Sequence, residues 1–60
     1  MLERLREIRQ ECQLTQSEVA QYLNCSQSTY SDYEIGKIFI PTRQLVRLAD
    51  FYHVSVDYLV

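Results

Sequence analysis

Two helix-start signals lie close together in this chain, at Thr15 and Ser26, and they constrain its fold more than any other feature. Thr15 is a favoured N-cap residue, and Glu18 three positions later completes a capping box. Between the two starts lies Asn24, a residue that tolerates the left-handed backbone with which many helices end. The sequence therefore predicts two short helices joined by about three residues, and a connection this short fixes a steep crossing between them.

Apolar residues elsewhere recur at helical spacing and predict further short helices. The first covers roughly the first dozen residues, and its inward stripe is Leu2, Leu5, Ile8 and Cys12. The helix after Ser26 is expected to stop at Gly36, the only glycine in the chain. Thr42 is expected to cap a fourth helix, and Ser55 a final turn that closes over the core. The predicted fold class is all-α, a compact bundle of about five short helices.

The chain has 60 residues, which predicts one domain, residues 1–60, with a small core. Such a core leaves little room for a deep catalytic cavity. We find no well-placed set of Ser, His and Asp and no glycine-rich phosphate loop, so no enzymatic activity and no cofactor are expected. No apolar run reaches the roughly 18 residues of a membrane span, so we expect no membrane partner and a cytoplasmic location. The sequence ends just inside the last predicted turn, which favours a piece of a longer protein.

The metal-binding and disulfide capacity of the chain is small. Its two cysteines are Cys12 and Cys25, and His53 is its one histidine. Because these residues lack the paired spacing of zinc sites, we expect no metal. In a reducing compartment both cysteines suit small packing positions, so reduced thiols are expected, with a disulfide as the alternative.

Five fragments follow one another along nearly the whole chain: Leu5-Arg6-x-x-Arg9, Leu14-Thr15-Gln16-x-x-Val19-Ala20, Ser26-x-Ser28-Thr29, Tyr33-Glu34-x-Gly36-Lys37 and Val54-Ser55-Val56-Asp57-Tyr58-Leu59. In this order and spacing they resemble the Cro and phage-repressor helix-turn-helix family of xenobiotic-response-element-type transcriptional regulators. The resemblance implies a lambda-repressor-like fold with the helix-turn-helix at helices 2 and 3. It also implies sequence-specific binding of double-stranded DNA by a transcriptional repressor whose helix 27–35 enters the major groove.

The resemblance also implies which residues meet the DNA. It assigns base contacts to Gln27, Ser28 and Asp32. It assigns contacts with the DNA backbone to Gln16, Thr29 and Lys37. A glutamine can pair with adenine, and a carboxylate can accept only from the amino group of cytosine. The structural alternatives are that the polar start of helix 3 is merely solvated, that Gln16 satisfies backbone N–H groups of its own first turn, and that Lys37 complements a helix dipole.

Two further pairs of residues are expected to hold the fold together. Arg9 and Glu34 match a pair that in relatives forms an internal salt bridge, so we expect a structural ion pair rather than catalytic groups. Tyr30 and Tyr33 could offer a stacking surface for single strands, but a three-residue spacing within a helix favours packing in the core.

The charge of the chain opposes strong binding to phosphates. Six Lys and Arg residues stand against eight Asp and Glu residues, which gives a net charge of −2. Ile35 and Ile38 occupy positions where relatives carry basic or amide side chains, and Lys37 is the only basic residue between positions 24 and 41. The sequence therefore predicts modest affinity for DNA with a shallow dependence on salt.

Ile38, Phe39 and Ile40 form an apolar run in a predicted loop, and three such side chains cannot all turn inward. We expect Ile38 and Phe39 to form the contact of a weak homodimer. The alternative is that Ile40 packs inside and Phe39 covers the edge of the core. The alternative function is a protein-interaction module on the same fold, antitoxin-like or antirepressor-like, with weak or no DNA binding.

Overall fold

A computed structural model describes residues 3–60 and contains five helices and no strand in that range. They are α1 (Glu3–Glu11), α2 (Gln16–Tyr22), α3 (Gln27–Ile35), α4 (Thr42–Tyr52) and α5 (Val56–Leu59). The predicted all-α fold of about five short helices is confirmed. Leu2, which was expected on the inward stripe of the first helix, lies outside the described residues.

Three of the predicted helix starts are capped as expected. The Thr15 hydroxyl accepts a hydrogen bond from the Glu18 backbone N–H at 3.1 Å, and the Glu18 carboxylate accepts one from the Thr15 N–H at 2.9 Å. Ser26 and Ser55 each accept a bond at 3.1 Å from the backbone N–H three residues later. These bonds satisfy N–H groups that a helix start leaves without partners, so the starts of α2, α3 and α5 are defined by local chemistry.

Two expectations about local structure are wrong. Thr42 is the first residue of α4 rather than its cap, because Pro41 takes the N-cap position with an extended backbone and provides no side-chain bond. Cys12 is exposed, although its spacing from Ile8 placed it on the inward stripe. Its backbone N–H still bonds to the Ile8 carbonyl oxygen at 3.0 Å, but it follows the last residue of α1 and the neighbouring elements leave it open to solvent.

Four helices end in the same way, with one residue in the left-handed backbone conformation. These residues are Gln13, Asn24, Gly36 and His53. In each case the following N–H reaches back to a carbonyl oxygen five residues earlier, at 3.1 Å for Leu14 to Arg9, 3.0 Å for Cys25 to Ala20, 2.9 Å for Lys37 to Asp32 and 2.9 Å for Val54 to Ala49. This is the pattern of the Schellman motif. It reverses the chain within a few residues and sets the short connections between the helices.

The core lies where the first three helices meet α4 and α5. Its buried apolar residues are Leu5, Ile8, Val19, Ala20, Leu23, Tyr30, Tyr33, Leu48, Ala49 and Leu59. α2 packs against α3, α1 packs against both α3 and α5, and α4 packs against α5. Tyr30 and Tyr33 are thus core residues, as predicted, and offer no surface for stacking bases.

Cys12 and Cys25 are both free thiols, and Cys25 is half-buried against the core. Among residues 3–60, no three His, Cys, Asp or Glu side chains are grouped so that they could hold a metal ion. None of the helices in the described range has the length and apolar character needed to span a bilayer.

Candidate nucleic-acid interface

α3 presents one face to the core and the opposite face to solvent. Tyr30, Tyr33 and Glu34 are buried. At the spacing of residues i, i+4 and i+7, the opposite side of the helix carries Ser28, Asp32 and Ile35. We call these three residues the outer ridge. Ser28 is exposed, Asp32 is half-buried, and Ile35 is 55% exposed, so the ridge ends in an apolar side chain.

The leading edge of α3 is open to solvent. Gln27 and Ser28 are both exposed, and no other part of the described chain covers them. Thr29 is half-buried beside them, and its Oγ1 accepts a hydrogen bond from Ser26 Oγ at 2.9 Å. Because Thr29 accepts in that bond, its own hydroxyl proton is still available to a further acceptor. Two of the three residues predicted to meet bases, Gln27 and Ser28, therefore share one accessible edge with Thr29, which is predicted to meet the backbone.

Gln16 lies at the start of α2 and contacts the end of α3. Its Nε2 donates to the Glu34 carboxylate at 3.2 Å, and the side chain is half-buried. A side-chain amide has two N–H donors, so one remains for an outside acceptor. Sequence reasoning placed Gln16 at this helix start but gave it no partner on α3, because the approach of two helices cannot be read from local spacing.

Arg9 and Glu34 form a buried ion pair that joins α1 to the end of α3. Arg9 Nε lies 2.6 Å from Glu34 Oε2, and its Nη2 lies 3.3 Å from Oε1. The remaining Arg9 nitrogen, Nη1, donates to the Leu14 carbonyl oxygen at 2.9 Å. The side chains are 11% and 2% exposed. The pair therefore fixes the end of α3 relative to α1 and to the start of α2.

The environment of Glu34 favours its charged form. Burial would raise the pKa of this carboxyl, but the hydrogen bonds and charge of Arg9, together with the neighbouring Tyr30 and Gln16, outweigh burial and lower the pKa. The hydrogen bond to Glu34 likewise raises the pKa of Arg9. Burial raises the pKa of the neighbouring Tyr30 hydroxyl, and the Glu34 carboxylate raises it further. Both members of the ion pair are thus charged at neutral pH.

α4 holds the other end of α2 in place through two side chains that the sequence did not single out. Gln44 Nε2 donates to the Leu23 carbonyl oxygen at 3.2 Å, and Arg47 Nη2 donates to the Tyr22 carbonyl oxygen at 2.9 Å. Gln44 is 9% exposed. Its position one turn before Leu48 on the inward face of α4 was the signal that could have identified it. These bonds satisfy carbonyl groups that the end of α2 leaves without helical partners.

Three of the six basic side chains are committed to contacts within the chain. Arg9 binds Glu34, while Arg4 lies over the Tyr58 ring and Arg47 over the Tyr22 ring. The other three are Arg6, Lys37 and Arg43, which are exposed and form no ion pair with any residue in 3–60. Because Arg9 neutralises Glu34, the charges of residues 24–41 reduce to those of Asp32 and Lys37, which cancel.

An apolar edge follows the outer ridge. It consists of Ile35, Ile38 and Phe39, which are 55%, 42% and 100% exposed. Ile40 is half-buried and packs against the core, as the alternative interpretation of this run predicted. The other half of that interpretation is wrong, because the fully exposed Phe39 covers no part of the core.

Residues 1–59 match a family of helix-turn-helix domains. The chain is 38% identical over 58 residues to the uncharacterized HTH-type transcriptional regulator YobD of Bacillus subtilis (strain 168), a match that covers 97% of this chain and 52% of that protein. It is 40% identical over 57 residues to the HTH-type transcriptional regulator ImmR of the same organism, which covers 95% of this chain and 45% of that protein. The chain thus spans about half the length of these two curated relatives. No solved structure matches it significantly. The chain belongs to the helix-turn-helix family, as its resemblance to the phage-repressor type predicted, and it is a domain of the kind that transcriptional regulators carry.

Proposed function

We propose that this domain binds a specific sequence of double-stranded DNA and acts as a transcriptional repressor by occupying that site. The observation that carries the proposal is the open leading edge of α3, on a helix whose other end is fixed by the buried Arg9–Glu34 pair and by Gln16. A helix presented in this way can enter the major groove without rearrangement. The proposed activity is binding rather than catalysis. Since duplex DNA lies in the cytoplasm of bacteria such as the one that carries both relatives, the proposed site of action is cytoplasmic.

The proposed contacts divide into those that read sequence and those that position the domain. Base contacts come from Gln27, Ser28 and Asp32, the last of which requires a cytosine amino group. Contacts with the DNA backbone come from Gln16, Thr29 and Lys37. The free amide proton of Gln16 and the free hydroxyl proton of Thr29 support these two assignments. Both groups are neutral, so Lys37 alone contributes charge among the three backbone contacts.

We further propose that two copies bind together through the apolar edge. Its exposed side chains, Ile38 and Phe39 above all, would be removed from water in a homodimer. The α3 helices of the two copies would then face successive major grooves about 34 Å apart and read a short palindrome. Because the edge holds only three side chains, the dimer is weak, and DNA binding assists its assembly.

The experiment that tests this function is a selection from random duplexes, repeated at two salt concentrations. We expect one enriched palindrome whose binding weakens as salt rises. Replacing Gln27 by Ala should change the preference at one base pair per half-site by about 1–3 kcal/mol. The matched control is Gln21→Ala, which removes an exposed glutamine from α2 and should leave the preference unchanged. An equal loss on all sequences for Gln27→Ala would contradict base readout.

A protein-interaction module on the same fold is the second candidate function. The apolar edge and the cancelling charges of Asp32 and Lys37 favour it, because both suit a protein partner better than a phosphate backbone. Sedimentation at rising concentration, with and without duplex, separates the two functions. A chain that forms no salt-sensitive complex with any selected duplex would favour the module. A strict monomer at high micromolar concentration would refute the proposed dimer.

A further inference from the structure

A shallow cleft opens where the starts of α1 and α2 meet the end of α3. It is lined by Glu3, Arg6, Gln16, Glu34 and Ile35. The cleft therefore brings Arg6, which has no role in the contacts that hold the fold together, next to Gln16, which already has a proposed DNA contact. Ile35 connects the cleft to the outer ridge of α3, so a duplex lying along that ridge passes the mouth of the cleft.

Arg6 is free to bind an anion in this cleft. It is exposed and forms no ion pair with residues 3–60, although two carboxylates line the same cleft. Glu34 is already bound by Arg9, with 2.6 Å between Nε and Oε2, and its other oxygen accepts from Gln16 at 3.2 Å. Glu3 lies one turn before Arg6 on α1 and stays outside ion-pair distance of it. The positive charge of Arg6 is thus not neutralised by a direct contact.

We propose that Arg6 is a further DNA-contacting residue, which binds a backbone phosphate in this cleft together with the Gln16 amide. The inference rests on the proposed function and extends it to α1, to which no DNA contact has been assigned. A guanidinium can give two parallel N–H bonds to phosphate oxygens, and the free N–H of Gln16 can supply a third. Arg6 and Lys37 then provide the two charged backbone contacts of one domain.

The test is the salt dependence of duplex binding by the whole chain, measured on the selected palindrome and on a scrambled duplex. Each phosphate contact by a cation contributes about 0.9 to the log–log slope, so Arg6→Gln should flatten the slope by about 0.9 per bound domain. At about 0.1 M salt this corresponds to a roughly five- to tenfold loss per domain. The loss should be the same on both duplexes, because a phosphate contact carries no base information.

Three further variants control for charge and chemistry. Arg6→Lys keeps the cation and should retain most of the slope. Glu3→Gln removes the uncommitted carboxylate of the cleft and should strengthen binding. Arg4→Gln removes the same charge from another face of α1, where Arg4 lies over Tyr58, and should leave the slope unchanged. Circular dichroism establishes that each variant is folded before binding is measured.

The outcomes separate this inference from the proposed function. Duplex binding with a wild-type slope for Arg6→Gln would overturn the Arg6 contact while leaving the proposed function intact. Equal flattening by Arg6→Gln and Arg4→Gln would also overturn it, because the effect would then come from net charge. If the unchanged chain bound no duplex in a salt-dependent way, both proposals would fail. At one position per half-site, replacing a single phosphate by a neutral methylphosphonate should weaken duplex binding by the unchanged chain. The same replacement should not weaken binding by Arg6→Gln.

Discussion

Replacing Glu34 by Gln tests how much the buried ion pair stabilises the fold. The substitution keeps the size of the side chain but leaves the Arg9 guanidinium without its anion. It also replaces one carboxylate oxygen by an amide NH₂ group, which cannot accept a hydrogen bond from that guanidinium. Glu34 is 5% exposed and accepts bonds from two residues, so water cannot replace the lost carboxylate oxygen. Breaking a buried pair on one side costs about 3–5 kcal/mol.

That loss is large for a chain of this length. At about 0.05–0.15 kcal/mol per residue, 60 residues give an unfolding free energy of roughly 3–9 kcal/mol. Glu34→Gln should therefore remove at least about a third of the free energy of unfolding, and in the extreme case all of it. The assay is urea unfolding followed by the helical circular dichroism signal. Glu11→Gln is the matched control, because Glu11 is exposed at the end of α1.

A double-mutant cycle then isolates the pair from its surroundings. Replacing both Arg9 and Glu34 by Met removes both charges together, and apolar substitutes of similar size often restore the stability of a buried pair. We expect the double variant to be more stable than either Arg9→Met or Glu34→Met alone, with a coupling free energy of about 2–3 kcal/mol between the two positions. A loss below about 1 kcal/mol for Glu34→Gln, the range of exposed pairs, would refute the reasoning. The reasoning would also be refuted if the stability losses of the two single variants simply added up in the double variant.

Three other predictions concern caps, helix ends and acid. Thr15→Ala should lower the unfolding free energy by about 1 kcal/mol in urea unfolding, because it removes one half of the capping box, whereas Ser17→Ala should change it little. Gln13→Gly should raise thermal stability by about 0.5–1 kcal/mol, since glycine adopts a φ of 57° without steric strain, and Gly36→Ala should lower it. The pKa of Glu34 is lower in the folded chain than in the unfolded one, so its contribution is present above about pH 4.3 and lost as the pH falls further. An unfolding series in acid should show that loss, and a Glu34→Gln series that kept the same slope would contradict it.

Features set by local chemistry could be predicted from the sequence. The Thr15 and Ser26 caps and the left-handed turns at Asn24 and Gly36 follow from what each side chain does to its own backbone. The short connection between α2 and α3 followed from these signals. The observed ends of both helices agree with it.

The same motif at Gln13 and His53 could not be predicted in this way. Glutamine does not favour the left-handed conformation, and histidine adopts it more often than most residues but less readily than glycine; Gln13 and His53 both adopt it with a φ near 58°. The cause lies one residue later, where Leu14 and Val54 pack against the core and draw the chain back across the helix end. Tertiary packing thus overrides local preference at Gln13 and acts together with it at His53. At Thr42 the cause is local, because the neighbouring proline takes the cap.

At the candidate interface too, local features could be predicted from the sequence and contacts between helices could not. Exposure of Ser28 followed from the helical period, because its position lies away from the buried tyrosines, whereas Gln27 is exposed as the first residue of α3. The bonds that position α2 and α3 did not follow, since Gln44 reaches Leu23 at the end of α2 and Gln16 reaches Glu34 on α3 only after distant helices have packed. A sequence pattern can therefore indicate which edge is free, while the rigidity of that edge depends on contacts between elements.

The assignment of the basic side chains explains why this domain would depend on pairing. Of six cations, three hold the fold together, and only Arg6 and Lys37 have a proposed DNA contact. Two phosphate contacts give one domain a log–log salt slope of about −1.8, and two domains about −3.6, against roughly −10 for a strongly electrostatic repressor. Electrostatic attraction would therefore contribute little affinity to a single copy. Specific binding then requires base contacts from two copies at once, and the apolar edge is the surface of the described chain with which a second copy could be held beside the first.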